Sequence, residues 1–378
     1  MKIHKRVYLV GSTYGSYRAR ALLEYLAASP KYGYYHNDPN FLISKSNSIF
    51  FRALFKGMRM AQRYVSLPYL LFSDIVYILP MENLHCIEHI AIRVFKKKIV
   101  GEFYISQYDT YVNDRKTIQP NTKKSAALLK LDQNFIDACD HVVFLNKAER
   151  EFYLELTNRK KAITKSSVTP LATNPKQKVK MPYANHSSDI IIICWWGTFI
   201  PLHGLEKIIS SVSHLKEQGI QFKLYLFGTS EEKSIPYRKQ IADLGLGDHI
   251  EIDNKKSFSD KSLDSFLIEH CDIAFGNFGD SEKAKTVMVN KVVEAASMAL
   301  PVISQKTSAL SEYFEDNTSI FFCESEPHAI AKKVLELSKD REKLRYVAVS
   351  SYQLYEKRFS KDSYLQDIIP ILKKMTNA

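Results

Sequence analysis

The sequence is poor in the residues that usually announce a site. Its five cysteines, Cys86, Cys139, Cys194, Cys271 and Cys323, are scattered, odd in number and form no CxxC pair. That excludes a disulfide framework and a cysteine-built zinc site, and it suits buried thiols in a reducing compartment. No GxxxxGK[ST] loop occurs, and GSTYGS (Gly11–Ser16) lacks the spacing of a dinucleotide fingerprint. HCIEH (His85–His89) pairs two histidines one helical turn apart but has no glutamate directly after the first, so it is not HExxH and no metal site is expected. Long apolar runs are missing too. Tyr64–Ser73 has only ten residues, contains a proline and is closed by Asp74, which is too short to span a bilayer as a helix. The opening MKIHKRVYLVGSTYG has an apolar run too short for a signal peptide. A cytoplasmic location is the expectation.

What is present is material for large cores. The 378 residues are 45% apolar, enough for about two or three domains. The net charge of +12 points to an anionic partner (nucleic acid, acidic lipid or phosphorylated substrate) or to a basic surface serving solubility alone. Nucleic acid fits poorly, because the lysines are dispersed and no recognised module occurs. FFRALFKGMRMAQRY (Phe50–Tyr64) mixes aromatics, leucine and methionine with Arg52, Lys56, Arg59 and Arg63. On a helix it reads either as a face for an anionic membrane surface or as a core helix with a basic outer side.

Apolar and helical patterns alternate along the chain. Strands are expected at Arg6–Val10, Asp74–Leu79, Lys98–Tyr104 and His141–Asn146, with helices near Ser16–Ala28, Asn83–Phe95, Ser125–Cys139 and Lys147–Glu155. Thr173–Ser188 is polar, carries two prolines and reads as a linker. The alternation then restarts, with strands at Asp189–Trp196, FKLYLFG, HIEID, IAFG, LPVIS and SIFFC, and helices at Leu205–Lys216, Tyr237–Leu244, Asp260–His270 and Asn290–Met298. This predicts an α/β chain of two doubly wound, Rossmann-like domains facing across a cleft. The boundaries are 1–175 and 189–358, with a last helix at 359–378 folding back on the first domain.

Ligands of such sheets bind in the loops that follow the strands. Gly197 and Thr198 end a strand, and His203 and Gly204 open the next helix, whose N-terminus is a ready anion site. His203 would add a hydrogen bond or a positive charge. A plain strand–turn–helix with a capping histidine fits the same residues. Gly11 and Gly228 end two other strands. Further on, Lys283, Asn290 and Lys291 precede or open a helix bearing Glu294. Lysines at a helix N-terminus suit a diphosphate, and a carboxylate one turn in suits ribose hydroxyls. In the first half, Glu102, Asp109, Asp114 and Arg115 follow a strand and would face the cleft.

These segments carry a resemblance. GTFIPLHG (Gly197–Gly204), KAKTVMVNKVVEAASMALPVIS (Lys283–Ser304), YDTYVNDRK (Tyr108–Lys116) and VTPLATN (Val168–Asn174) are similar to segments of family-4 glycosyltransferases of the GT-B fold. The resemblance covers essentially the whole chain and is strongest from residue 190 to 304. It implies a retaining, metal-independent transferase, without a cofactor, moving a hexose-type sugar from a UDP or GDP donor. The acceptor would be a glycan or lipid-linked molecule in bacterial surface polysaccharide synthesis, at the inner membrane face. It implies that Glu294 holds the ribose, with the donor lying against Gly11, Gly197, Thr198, His203, Gly204, Gly228, Lys283, Asn290 and Lys291. Asp109, Glu102 and His203 are the residues it would set beside the reacting groups. Two departures stand out. The first glutamate of the family's E-x7-E motif is Thr286 here, and the usual Gly-Arg and Lys-Gly phosphate contacts are Gly197-Thr198 and His203-Gly204. They keep open a non-catalytic relative that binds sugar nucleotides or scaffolds a complex.

Overall fold

The computed structural model describes residues 5–13, 15–38, 49–84, 86–174 and 190–377. Nearly all of the expected linker, Thr173–Ser188, lies outside them, as do His85 of HCIEH and the side chains of Arg52, Lys56 and Arg59. The first half runs β1 (Lys5–Val10), α1 (Tyr17–Ala28), β2 (Tyr32–Asn37), α2 (Ile49–Leu71), β3 (Ile75–Ile78), α3 (Cys86–Val94), β4 (Lys98–Glu102), α4 (Lys123–Ala138), β5 (His141–Phe144), α5 (Lys147–Leu156) and β6 (Ser166–Val168). The second runs β7 (Ile191–Trp196), α6 (Leu205–Glu217), β8 (Phe222–Phe227), α7 (Glu231–Asp243), β9 (Ile250–Asp253), α8 (Ser262–His270), β10 (Ile273–Phe275), α9 (Glu282–Thr286), α10 (Asn290–Ser297), β11 (Val302–Gln305), α11 (Ser308–Ser311), β12 (Phe321–Cys323), α12 (Pro327–Ser338), α13 (Arg341–Arg358) and α14 (Lys361–Asn377).

Each half builds a six-stranded sheet, in the orders β2-β1-β3-β4-β5-β6 and β12-β11-β10-β7-β8-β9. Every pairing is parallel. Parallel neighbours need a crossover, and here helices supply it, so most strands are buried on both sides. That is why β3 and β7 read as unbroken apolar runs. The chain divides into two compact units: Met1–Val112, Lys116–Ala172 and Lys361–Ala378 form one, and Asn113–Arg115 with Thr173–Ser360 the other.

β2 was not among the expected strands. Its sequence, YGYYHN, is polar, yet it pairs with β1 over its full length, Lys5 opposite Tyr32 through Val10 opposite Asn37. The Tyr35 ring stacks on Tyr8 at 5.5 Å and on Tyr69 of α2 at 4.0 Å. α7 starts at Glu231, ahead of the expected Tyr237, because Ser230 caps it by accepting the Lys233 N–H.

α14 belongs to the first unit's core, where Tyr364, Ile368 and Leu372 pack with Leu9, Leu22 and Tyr77. A buried charge pair pins it. Arg18 Nη2 lies 2.7 Å from Glu102 Oε2, and Glu102 Oε1 accepts hydrogen bonds from Tyr77 at 2.7 Å and Tyr364 at 2.9 Å. Arg18 also donates to the Thr169 carbonyl at 2.8 Å, and its guanidinium lies over the Tyr364 ring. Burial, and then the Glu102 charge, hold both tyrosines well above the usual phenol value, so both stay protonated and donate. Glu102 was expected beside the reacting groups. The structure corrects this: its carboxylate is fully buried and committed to Arg18 and the α14 latch. Glu102→Ala leaves a buried guanidinium uncompensated and should cost the first unit about 3–5 kcal/mol. Urea unfolding followed by circular dichroism measures it; a loss within error would show the pair to be dispensable.

Candidate functional site

The second unit brings several of the expected residues together at the carboxyl ends of its strands. β7 ends in Trp195 and Trp196, and Gly197 follows at φ +146, a conformation open in practice only to glycine. Its N–H donates to Phe227 O of β8 at 3.0 Å. A Cβ on Gly197 would lie 3.5 Å from Lys291 Nζ. The backbone at the strand end and the lysine amine therefore flank one spot.

Lys291 is the second residue of α10. Its Nζ sits 4.0 Å from the centre of the Trp195 ring, the residue is only 5% exposed, and Nζ has no hydrogen-bond partner among the described residues. Burial pulls the amine well below the usual lysine value of 10.5, with Glu294 opposing. A cation here is unfavourable twice over. It lacks a hydrogen-bond partner among the described residues, and it occupies the first turn of a helix whose N-terminus is already positive. α10 has no side-chain cap.

Glu294, one turn further on, is oriented by Trp196, whose indole N–H donates to Glu294 Oε2 at 2.8 Å. The two adjacent tryptophans thus hold the two charged residues of α10. Asn290 is exposed at the helix's first position. Lys283 is buried in α9, next to Ala284, whose carbonyl accepts the Asn277 side-chain N–H at 3.1 Å. Thr286 bonds back to the Glu282 carbonyl and closes that short helix.

His203 is buried, edge-on to Trp195 with ring centres 5.6 Å apart. Its pKa is held well below 6.5, by burial first and by Lys291 second. Of the hydrogen bond or positive charge expected of His203, a neutral ring leaves the hydrogen bond. Nδ1 lies 3.4 Å from Asn277 Oδ1. Because the Asn277 amide is oriented by its bond to Ala284, Nδ1 carries the proton and Nε2 is left as the acceptor. Gly204 caps α6 at φ +60, and a Cβ there would collide with Phe278 O at 2.4 Å. Thr198 is half-buried after Gly197. Gly228 ends β8 beside Gly197, and a Cβ on it would strike Phe199 at 2.2 Å. It is needed for packing.

The remaining expected residues lie in the first unit. Gly11 ends β1 at φ +126, where a Cβ would meet Leu79 at 2.9 Å. Asp109 is buried and begins a π-helical turn, Asp109–Asp114, with its N–H on Ser106 Oγ. Sequence reasoning missed Trp195, Trp196 and Asn277 as site residues. The double tryptophan at a strand end was the available signal.

A model of glycosyl transferases group 1 matches residues 178–353. Among solved structures, the chain is similar to HepE from Anabaena in complex with UDP, at TM-score 0.66 and 13% identity over 98% of this chain and all of that one. It is similar to sucrose-phosphate synthase from Thermosynechococcus elongatus, at 0.70 and 11%, covering 98% and 99% of the two chains. It is also similar to the lipopolysaccharide outer core galactosyltransferase WaaB, at 0.63 and 13%, again over 98% and 99%. No curated protein matches by sequence. The fold is GT-B.

Lys291 has a measurable signature in the ligand-free protein. Between its lowered value and 10.5 the unfolded chain binds more protons than the folded one, so this residue makes stability rise with pH in that window. Lys291→Met should abolish that slope and stabilise the protein by about 1–3 kcal/mol at neutral pH. Thermal unfolding at pH 7 and pH 9 checks both; a less stable variant would mean that the amine is already satisfied.

Proposed function

We propose that the protein is a nucleotide-sugar-dependent glycosyltransferase of family 4. It transfers a hexose with retention, without a metal, from a UDP or GDP donor to a glycan or lipid-linked acceptor of a bacterial surface polysaccharide. One observation carries the reading: Lys291, a buried amine without a hydrogen-bond partner among the described residues, at the N-terminus of α10 and beside a strand-end glycine. The group 1 match over this unit and the UDP-bound HepE structure support it.

In this reading the donor diphosphate settles on the N-terminus of α10 and on Lys291, which its charge reprotonates. Gly197 lets the backbone approach. Glu294, aimed by Trp196, accepts the ribose hydroxyls. His203, neutral with Nε2 as acceptor, takes a sugar hydroxyl rather than a phosphate. Lys283, Asn290, Thr198 and Gly204 complete the donor side. As the glycosidic bond breaks, charge builds on the leaving diphosphate, and Lys291 with the helix N-terminus stabilises it. The acceptor hydroxyl attacks on the face the diphosphate leaves. This division of work asks for no metal, because fixed cation and dipole take its place.

The absence of the usual phosphate cations, with Thr286 at the first motif position, favours a second reading: a subunit that binds sugar nucleotides without turnover. Nucleotide release from a panel of UDP-, GDP-, dTDP- and CMP-sugars, with membrane lipid extract and EDTA, separates the two. Release of UDP or GDP that survives EDTA is expected. Binding without release from any donor would establish the second reading.

A further inference from the structure

The groove between α3 and α4 is held open from both sides. α3 is drawn toward α2, where its Glu88 pairs with Arg63 at 2.7 Å. Lys97, just past α3, donates to the Leu71 and Ser73 carbonyls at 2.7 and 2.6 Å. α4 is drawn the other way. Gln133 donates to the Thr157 carbonyl at 3.1 Å, and Arg159 grips the Asp137 carboxylate at 2.6 and 2.8 Å. The Lys165 amine closes the end of α4 on the Ile136 carbonyl at 2.8 Å. α4 is also seated on β4 at Gly101, where a Cβ would strike Cys139 Sγ at 2.6 Å and the Phe135 ring at 2.7 Å. Closing the groove would break these bonds, the buried Arg63–Glu88 pair among them.

Between the helices lies a cavity of about 530 Å³, within the roughly 300–1,000 Å³ of small-molecule sites. Its floor is apolar: Ile78, Leu84 and Phe135 are nearly fully buried. Ile90 and Leu131 stand exposed at its lip. Its open charge is of one sign. Arg93 of α3 and Lys130 of α4 line the same cavity, both are exposed, and neither forms an ion pair or hydrogen bond among the described residues. Asp137, the one carboxylate in the lining, is already held by Arg159. His89 is half-buried in the α3 wall. Burial first, and Arg93 second, lower its pKa, with Glu88 opposing, so the ring stays neutral beside the arginine.

We infer that the α3–α4 groove binds a small organic anion, a compact apolar body carrying one anionic group. The body covers Ile78, Leu84 and Phe135, and the anionic group lies between Arg93 and Lys130. Charge selects this occupant. A neutral apolar molecule leaves both cations unpaired, and a cation is repelled by them. Neither half of the groove suffices alone: exposed cations hold an anion weakly, and the apolar floor supplies the burial that they lack. The groove lies wholly in the first unit, and the inference uses nothing of the donor-site reading.

Fluorescence titration of the full chain tests it. The probe is anilinonaphthalene sulfonate, an apolar body with one sulfonate, and the control is phenylnaphthylamine, the same body without it. The sulfonate should bind about tenfold or more tightly than the control. Arg93→Ser/Lys130→Ser should erase that preference at an unchanged melting temperature, since both residues are exposed. Asn134→Glu, which sets a carboxylate one helical turn from Lys130 in the same lining, should erase it as well. Leu131→Ser at the lip should weaken both probes. Equal binding of the two probes, no binding of either, or an unchanged preference in the first two variants overturns the inference. So does loss of the signal in Phe50→Ser/Val65→Ser/Phe72→Ser, which would place the probe on the exposed apolar side chains of α2 and its end.

Discussion

A lysine amine buried over an indole, with no hydrogen-bond partner among the described residues, is the constraint around which the second unit's strand ends are arranged. The amine stays because the packing holds it: Trp195 lies beneath, Gly197 beside, and α10 starts one residue earlier. Its cost appears in its depressed pKa and in that of His203, which is kept neutral partly by the same lysine. In the proposed function an arriving anion would be worth more there than at a surface lysine.

Buried charge is paired in both units, and Lys291 differs in having no carboxylate or hydrogen-bond partner within reach among the described residues. In the first, Arg18 and Glu102 neutralise each other, and two tyrosines donate to Glu102, so the group is structural and holds the last helix. Arg63, Glu82 and Glu88 likewise fix α2. In the second, Lys291 has been left without its counterpart.

Much of the fold was legible in the sequence, because parallel strands buried on both sides leave apolar runs such as DIVYIL and IIICWW. β2 was not, since its tyrosines stack on neighbours far along the chain instead of forming an apolar run. The Gly197–Gly204 and Lys283–Glu294 stretches pointed to the site, but their meeting depends on Trp195 and Trp196, nearly a hundred residues before Lys291. Glu102 misled because a carboxylate at a strand end reads alike whether it meets ligand or a buried arginine. α2 announced its two sides and not which of them turns inward; that was settled by Glu88, on another helix.

The most direct test is a crystal structure of the protein with UDP. Lys291 Nζ should lie within hydrogen-bond distance, about 3 Å, of a diphosphate oxygen, with Glu294 on the ribose. UDP bound elsewhere, or bound with Lys291 still buried over Trp195 and touching no phosphate, would contradict the assignment of this site.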